Sequence, residues 1–194
     1  MYGQAVGDAL GVPYEFMPRD TFRCEGMTGY GTHNQPIGTW SDDTSMMLAT
    51  LDSLIANEWQ VNTESAITHA HAISMEACSS MVDVLRDGLI KGIWPQELDD
   101  EPLRGMPRDE VGSSGFVKDT YEAALWCLAN TDDYASCVLA AVNLGDDTDT
   151  TAAVAGYLAG IKYGFDAIPA QWLAVLRGRE LIEDVLGRTE SAWH

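Results

Sequence analysis

The apolar residues of this chain recur at the three- and four-residue spacing of helices, and almost no segment alternates with the period of a strand. Met46, Met47, Leu48, Leu51, Leu54 and Ile55 follow Ser41, which stands where an N-cap belongs with acids at the next two positions, so a helix is predicted over about 42–57. Ala66, Ile67, Ala70, Ile73, Ala77, Met81, Leu85 and Leu89 predict a second over 64–91, broken once around Ser79-Ser80. Phe116, Val117, Tyr121, Ala124, Leu125 and Leu128 carry another. Tyr134 to Val142 carry the next, after Asn130-Thr131-Asp132-Asp133. A helix from near Thr148 to near Gly164 presents Ala152, Ala153, Ala155, Gly156, Ala159 and Gly160. That face is small enough for neighbours to approach closely, which suits a central position. Trp172 to Leu186, after Pro169, read as one amphipathic helix, and Tyr2 to Leu10, around Gly3, Gly7 and Gly11, as a tightly packed one ending near Gly11-Val12-Pro13.

The expected fold class is therefore all-α, a compact orthogonal multi-helix bundle. The 194 residues suit a single domain over 1–194, and no internal repeat is visible. Two stretches read as connections: Pro18 to Gly38, rich in Gly, Thr, Asn and Pro, and 92–112, with three prolines and several charges. Long unstructured loops are uncommon in compact domains and often functional, and the first leads directly into an acidic cluster.

Composition narrows the possible partners. Apolar residues make up 46% and charged ones 21%, as in an ordinary globular chain, but 30 acids face 11 bases and the net charge is −19. That excess argues against nucleic acid or an anionic membrane as the main partner. Cys24, Cys78, Cys127 and Cys137 are scattered without a C-x-x-C pair and read as reduced, mostly buried thiols. With no signal segment at the start and no apolar run near the roughly 18 residues of a membrane span, the expected location is cytoplasmic.

Most acids of such a surface are solvated, but two groups are clustered. Asp42 and Asp43 lie in the first turn of a predicted helix, where the unpaired backbone N–H groups favour carboxylates. Asp146, Asp147 and Asp149 crowd three like charges into four residues, followed by the hydroxyls of Thr150 and Thr151. A cation would relieve that repulsion, and hard divalent ions take such oxygen donors. The D-x-D-x-D-G spacing of an EF-hand is absent. Two helix starts converging on one metal site near the centre of the bundle is the sharper expectation.

Three stretches together resemble the ADP-ribosylglycohydrolase family: Gly3-Gln4-Ala5-Val6-Gly7-Asp8-Ala9-Leu10-Gly11 leading to Glu15, Trp40-Ser41-Asp42-Asp43-Thr44, and Val142-Asn143-Leu144-Gly145-Asp146-Asp147-Thr148-Asp149-Thr150. The resemblance implies two Mg²⁺ or Mn²⁺ ions held by Ser41, Asp42, Asp43, Asp147, Asp149 and Thr150. Ser41 replaces the family's more usual threonine. Glu15 matches a glutamate implicated in gating the metal site and in catalysis, and Asp43 is a second candidate for acid–base work. Thr68-His69 resembles a pair near the bound ribose. Gly112, Ser113, Gly115 and Phe116 resemble a segment lining the ADP-ribose cleft, where Phe116 departs from a tyrosine. The chain reads as a shortened member, because only Glu58 to Ile67 stand where the family carries further helices and part of the substrate wall.

The implied activity is hydrolysis of the bond between ADP-ribose and a protein side chain or small-molecule acceptor. The alternatives are a non-catalytic metal- and ADP-ribose-binding protein, or a hydrolase of another small nucleotide or sugar.

Overall fold

A computed structural model describes residues 1–56 and 101–192. Among these residues the regular structure is helical, with one isolated bridge between Tyr30 and Gln35 and no strand. The described α-helices, numbered in chain order, are α1 (Tyr2–Gly11), α2 (Asp42–Ala56), α3 (Glu101–Arg104), α4 (Val117–Ala129), α5 (Tyr134–Val142), α6 (Thr148–Tyr163), α7 (Ala170–Val175) and α8 (Arg179–Ala192). The predicted helix over 64–91, His69 and Cys78 lie outside the described residues.

The glycines of α1 decide where the site can form. A Cβ added at Gly3 would stand 2.3 Å from the Gly156 carbonyl oxygen, at Gly7 2.0 Å from that of Ala152, and at Gly11 2.4 Å from the Asp149 Cα. As α1 advances, its partners on α6 recede, so the two helices run antiparallel with their backbones in contact. The C-terminal end of α1 therefore meets the N-terminal end of α6, and the Thr148 hydroxyl fastens them by donating to the Gly11 carbonyl at 2.9 Å.

Around this pair the core closes with Val6, Leu10, Leu128, Val138, Leu144, Leu158 and Ile182, all fully buried. Each such side chain contributes about 1.5–3 kcal/mol on burial. Tyr134 is also fully buried, and its hydroxyl donates to the Gly3 carbonyl at 2.7 Å, which satisfies its polar end. Cys24, Cys127 and Cys137 are buried free thiols, as their spacing implied. Burial pushes the Cys137 thiol up to about 12. No helix among the described residues is long and apolar enough to cross a membrane.

Two expectations need correction. Trp172 to Leu186 is not one helix. The chain turns at Gly178 (φ +60), where a Cβ would stand 2.5 Å from the Trp40 ring, and Arg177 N–H donates to the Gly38 carbonyl at 2.9 Å. The amphipathic period runs through this break because both halves bury the same side. The second correction concerns 92–112. Its described part contains α3 and a 3₁₀ turn at Arg108–Glu110, which three prolines had suggested would be plain loop.

Candidate metal centre

The start of α2 is held by a buried acid. Asp8, fully enclosed within α1, accepts from the Ser41 N–H at 2.8 Å through one carboxylate oxygen. Its other oxygen accepts from the Thr44 N–H at 2.9 Å and the Thr44 hydroxyl at 2.6 Å. These are donors that a helix start leaves unpaired, and a carboxylate there also meets the positive end of the helix dipole. Ser41 caps from its own position, its hydroxyl accepting the Asp43 N–H at 3.2 Å. Burial raises the pKa of Asp8, and the donors on Thr44 and Ser41 pull it back.

The start of α6 is held by a cation. Arg19 donates to the carbonyls of Leu144 at 2.7 Å, Arg108 at 2.7 Å and Val111 at 2.6 Å, and to the Ser113 hydroxyl at 3.2 Å. Three chain segments are thus joined by one planar guanidinium. Beside it the backbones of two loops clasp each other: Phe16 N–H donates to the Asp146 carbonyl at 2.7 Å, and Asp146 N–H to the Met17 carbonyl at 3.0 Å. Both Phe16 (φ 65) and Asp146 (φ 59) are left-handed, at a cost of about 1–3 kcal/mol each. Glu15 precedes one and Asp147 follows the other, so the clasp sets these two acids side by side.

The two helix starts meet. Oxygens of Asp8, Asp43 and Asp149 lie within 4.8 Å of one another, and so do oxygens of Glu15, Asp147 and Asp149. Thr150 donates across the junction to Asp43 at 3.1 Å, and Ser41 donates to the same oxygen at 3.3 Å. Burial first, then the neighbouring charge of Asp8, with Asp42 and Asp147 adding, push Asp43 up to about 7 against the Thr150 hydroxyl. Burial, Glu15, Asp43 and Asp147 push Asp149 up to about 8, against the Thr150 N–H.

Carboxylates and hydroxyls without sulfur form the donor set of a hard divalent cation, and like charge this dense is what such an ion neutralises. A cleft of about 270 Å³ reaches this cluster, with Glu15, His33, Trp40, Ser41, Asp42 and Asp149 in its wall.

Of the residues singled out from the sequence, Ser41, Asp43, Asp147, Asp149, Thr150 and Glu15 come together here. Asp42 is exposed on the cleft wall, outside both groups of three. Gly115 lies against Asp147, where a Cβ would stand 3.1 Å from its carboxylate, whereas Gly112 faces Asp119. Phe116 caps α4 with its ring exposed. Ser113 is buried; its hydroxyl is taken by Arg19 and the Leu144 carbonyl, and its own carbonyl accepts the Asp147 N–H at 3.1 Å. The side chain of Ser113 therefore supports the acidic loop from behind.

Three residues escaped the sequence reading: Asp8, Arg19 and His33. Asp8 had a visible signal, a lone acid inside the small, apolar face of α1. The other two sit in a loop without periodicity.

A profile of the ADP-ribosylglycohydrolase family matches the chain in two overlapping pieces, residues 1–76 and 60–193. The chain is 28% identical over 279 residues to an ADP-ribosylarginine hydrolase, Tri1, of Serratia proteamaculans (strain 568), covering 95% of this chain and 76% of that protein. It is 36% identical over 137 residues to the ADP-ribosyl-[dinitrogen reductase] glycohydrolase of Rhodospirillum rubrum, covering 66% of this chain and 46% of that one. A solved structure described as an ADP-ribosylglycohydrolase-related protein complex superposes with a TM-score of 0.75 at 28% identity, over 95% of this chain and 93% of its own.

Proposed function

Because the chain belongs to the ADP-ribosylglycohydrolase family, we propose that it hydrolyses the glycosidic bond joining ADP-ribose to an acceptor, as a single domain with a divalent-metal centre. Arginine is the first acceptor to test, given the activity named for the Serratia relative. The observation that carries this reading is the meeting of the α2 and α6 acids with Glu15 at one cleft.

Ser41, Asp42, Asp43, Asp147, Asp149 and Thr150 would hold two Mg²⁺ or Mn²⁺ ions. Both oxygens of Asp8 are already engaged, so it serves to position α2. When bound, the cations supply charge that orients the ribose hydroxyls and acidifies water. Asp43 is half-buried, accepts from Thr150 and reads as a ligand, whereas Glu15 stands in the cleft wall and is assigned the proton transfer. Glu15 takes a proton from water as the water oxygen bonds to the anomeric carbon. The bond from that carbon to the acceptor breaks with its electron pair staying on the acceptor, which takes up the proton. The products are ADP-ribose and the free acceptor, reached through an oxocarbenium-like state.

The test is release of ADP-ribose from ADP-ribosylarginine with Mg²⁺ and with a chelator. Glu15→Gln should lower kcat by about 10²–10⁴-fold, and Asp149→Ala should weaken Mn²⁺ binding in calorimetry. An alignment of 279 residues exceeds the 194 of this chain, so it must open long gaps, and these favour a second reading, a metal- and ADP-ribose-binding protein without turnover. Metal-dependent binding of ADP-ribose with no release from any conjugate would select it. Unchanged Mn²⁺ stoichiometry and affinity in both Asp42→Ala and Asp149→Ala would overturn the metal centre itself.

A further inference from the structure

Glu15 is held from outside the acidic cluster. Its Oε2 lies 2.5 Å from Nε2 of His33, so with a proton on Nε2 the ring donates to the carboxylate. Of the side chains lining the cleft, His33 is the one that can carry positive charge, the rest being acidic, polar or apolar.

The segment that presents His33 is fixed directly to the backbone of Glu15. The Thr32 hydroxyl donates to the Glu15 carbonyl at 2.8 Å. Gly31, with φ +51, lies so close to Pro13 that a Cβ would stand 2.0 Å from the Pro13 carbonyl oxygen. The edge-on ring of Phe16, with centroids 5.9 Å apart, braces the imidazole. Tyr30 and Asn34 on either side of the turn are both left-handed, and Tyr30 bridges to Gln35. A strained, multiply anchored turn thus delivers one imidazole to one carboxylate. Oxygens of Glu15, Asp147 and Asp149 lie within 4.8 Å of one another, so a Glu15 carboxylate free to change rotamer would leave this group.

We propose that His33 is a positioning residue for Glu15, latching its carboxylate in the cleft wall beside Asp147 and Asp149. This deepens the proposed function and rests on it for the role of Glu15.

The test pairs His33→Leu, which removes the donor, with His33→Gln, which keeps an N–H near the position of Nε2. On ADP-ribosylarginine with Mg²⁺, His33→Leu should lower kcat by about 10- to 100-fold, the scale of an ångström-size misplacement of a reacting group, with KM within about twofold. His33→Gln should restore most of it, and in a Glu15→Gln background His33→Leu should cost nothing further. Equal losses from His33→Leu in both backgrounds, or no difference between Leu and Gln at 33, would overturn the latch.

Crystal structures of the wild-type and His33→Leu proteins give a reading independent of turnover. Glu15 swung out of the cleft in the variant supports the latch, and an unmoved Glu15 refutes it. If the wild-type protein releases no ADP-ribose, the proposed function fails by itself and the crystal structures still decide the role of His33.

Discussion

The two acidic helix starts look alike in sequence and are held by opposite means. Asp42 and Asp43 begin α2, whose first N–H groups are received by the buried carboxylate of Asp8, a negative group reached from α1. Asp147 and Asp149 begin α6, whose preceding loop is received by Arg19, a positive group donating to backbone carbonyls. An acid cluster can thus be assembled from one side by satisfying donors and from the other by satisfying acceptors. Neither device neutralises the cluster, because Arg19 is engaged with carbonyls and a serine hydroxyl. The charge remains for a cation to meet.

Removing the acid breaks the comparison most severely. Asp8→Ala leaves three donors without their acceptor, the two on Thr44 buried, and should cost about 3–4 kcal/mol in urea unfolding, while Asp8→Asn, which keeps one acceptor oxygen, should lose about half as much. Arg19→Met should cost about 2–3 kcal/mol, and Arg19→Lys should rescue little, because one ammonium cannot span three segments. The two residues share no partner, so without metal their losses should add within about 0.5 kcal/mol. Their effects on Mn²⁺ affinity should not add, since either change alone would separate the two halves of the proposed site.

A third expectation concerns charge. Asp43 sits at about 7 in the fold, against about 3.9 for an ordinary aspartate, so the folded state resists its ionisation. That cost is absent below pH 4, grows as the pH rises, and is complete above pH 7. Asp43→Asn should therefore stabilise the metal-free protein by about 2 kcal/mol at pH 8 and hardly at all at pH 4. Mg²⁺ should raise the Tm of the wild-type protein more than that of the variant. Equal gains at both pH values would refute the crowding. The smallest effect is expected at the junction: Thr150→Val loses the hydroxyl donated to Asp43 and should cost about 1 kcal/mol by the same unfolding measurement.

Much of this was legible along the chain. The helix starts at Asp42 and Thr148, the small-residue face of α6 and the glycine spacing of α1 are local patterns, and the structure carries each of them. The misread stretches share a cause. Trp172 to Leu186 keeps its apolar period across a turn that only Gly38 and Trp40, more than 130 residues earlier, require. Ser113 was read as facing a substrate, but what its hydroxyl meets is decided by Arg19, 94 residues away.

Periodicity and capping residues report the one face and one end of a segment that its own backbone geometry imposes, and so α1, α2, α4, α5 and α6, their order and the acids at the starts of α2 and α6 followed from sequence alone. Which helix start meets which was decided by the close antiparallel approach of α1 and α6. How each is held was decided by hydrogen bonds such as Arg19 to Leu144, 125 residues apart, and Thr150 to Asp43, 107 apart. Such bonds leave no local trace, because a buried carboxylate or guanidinium has the same neighbours in sequence whether it faces solvent or completes a distant loop.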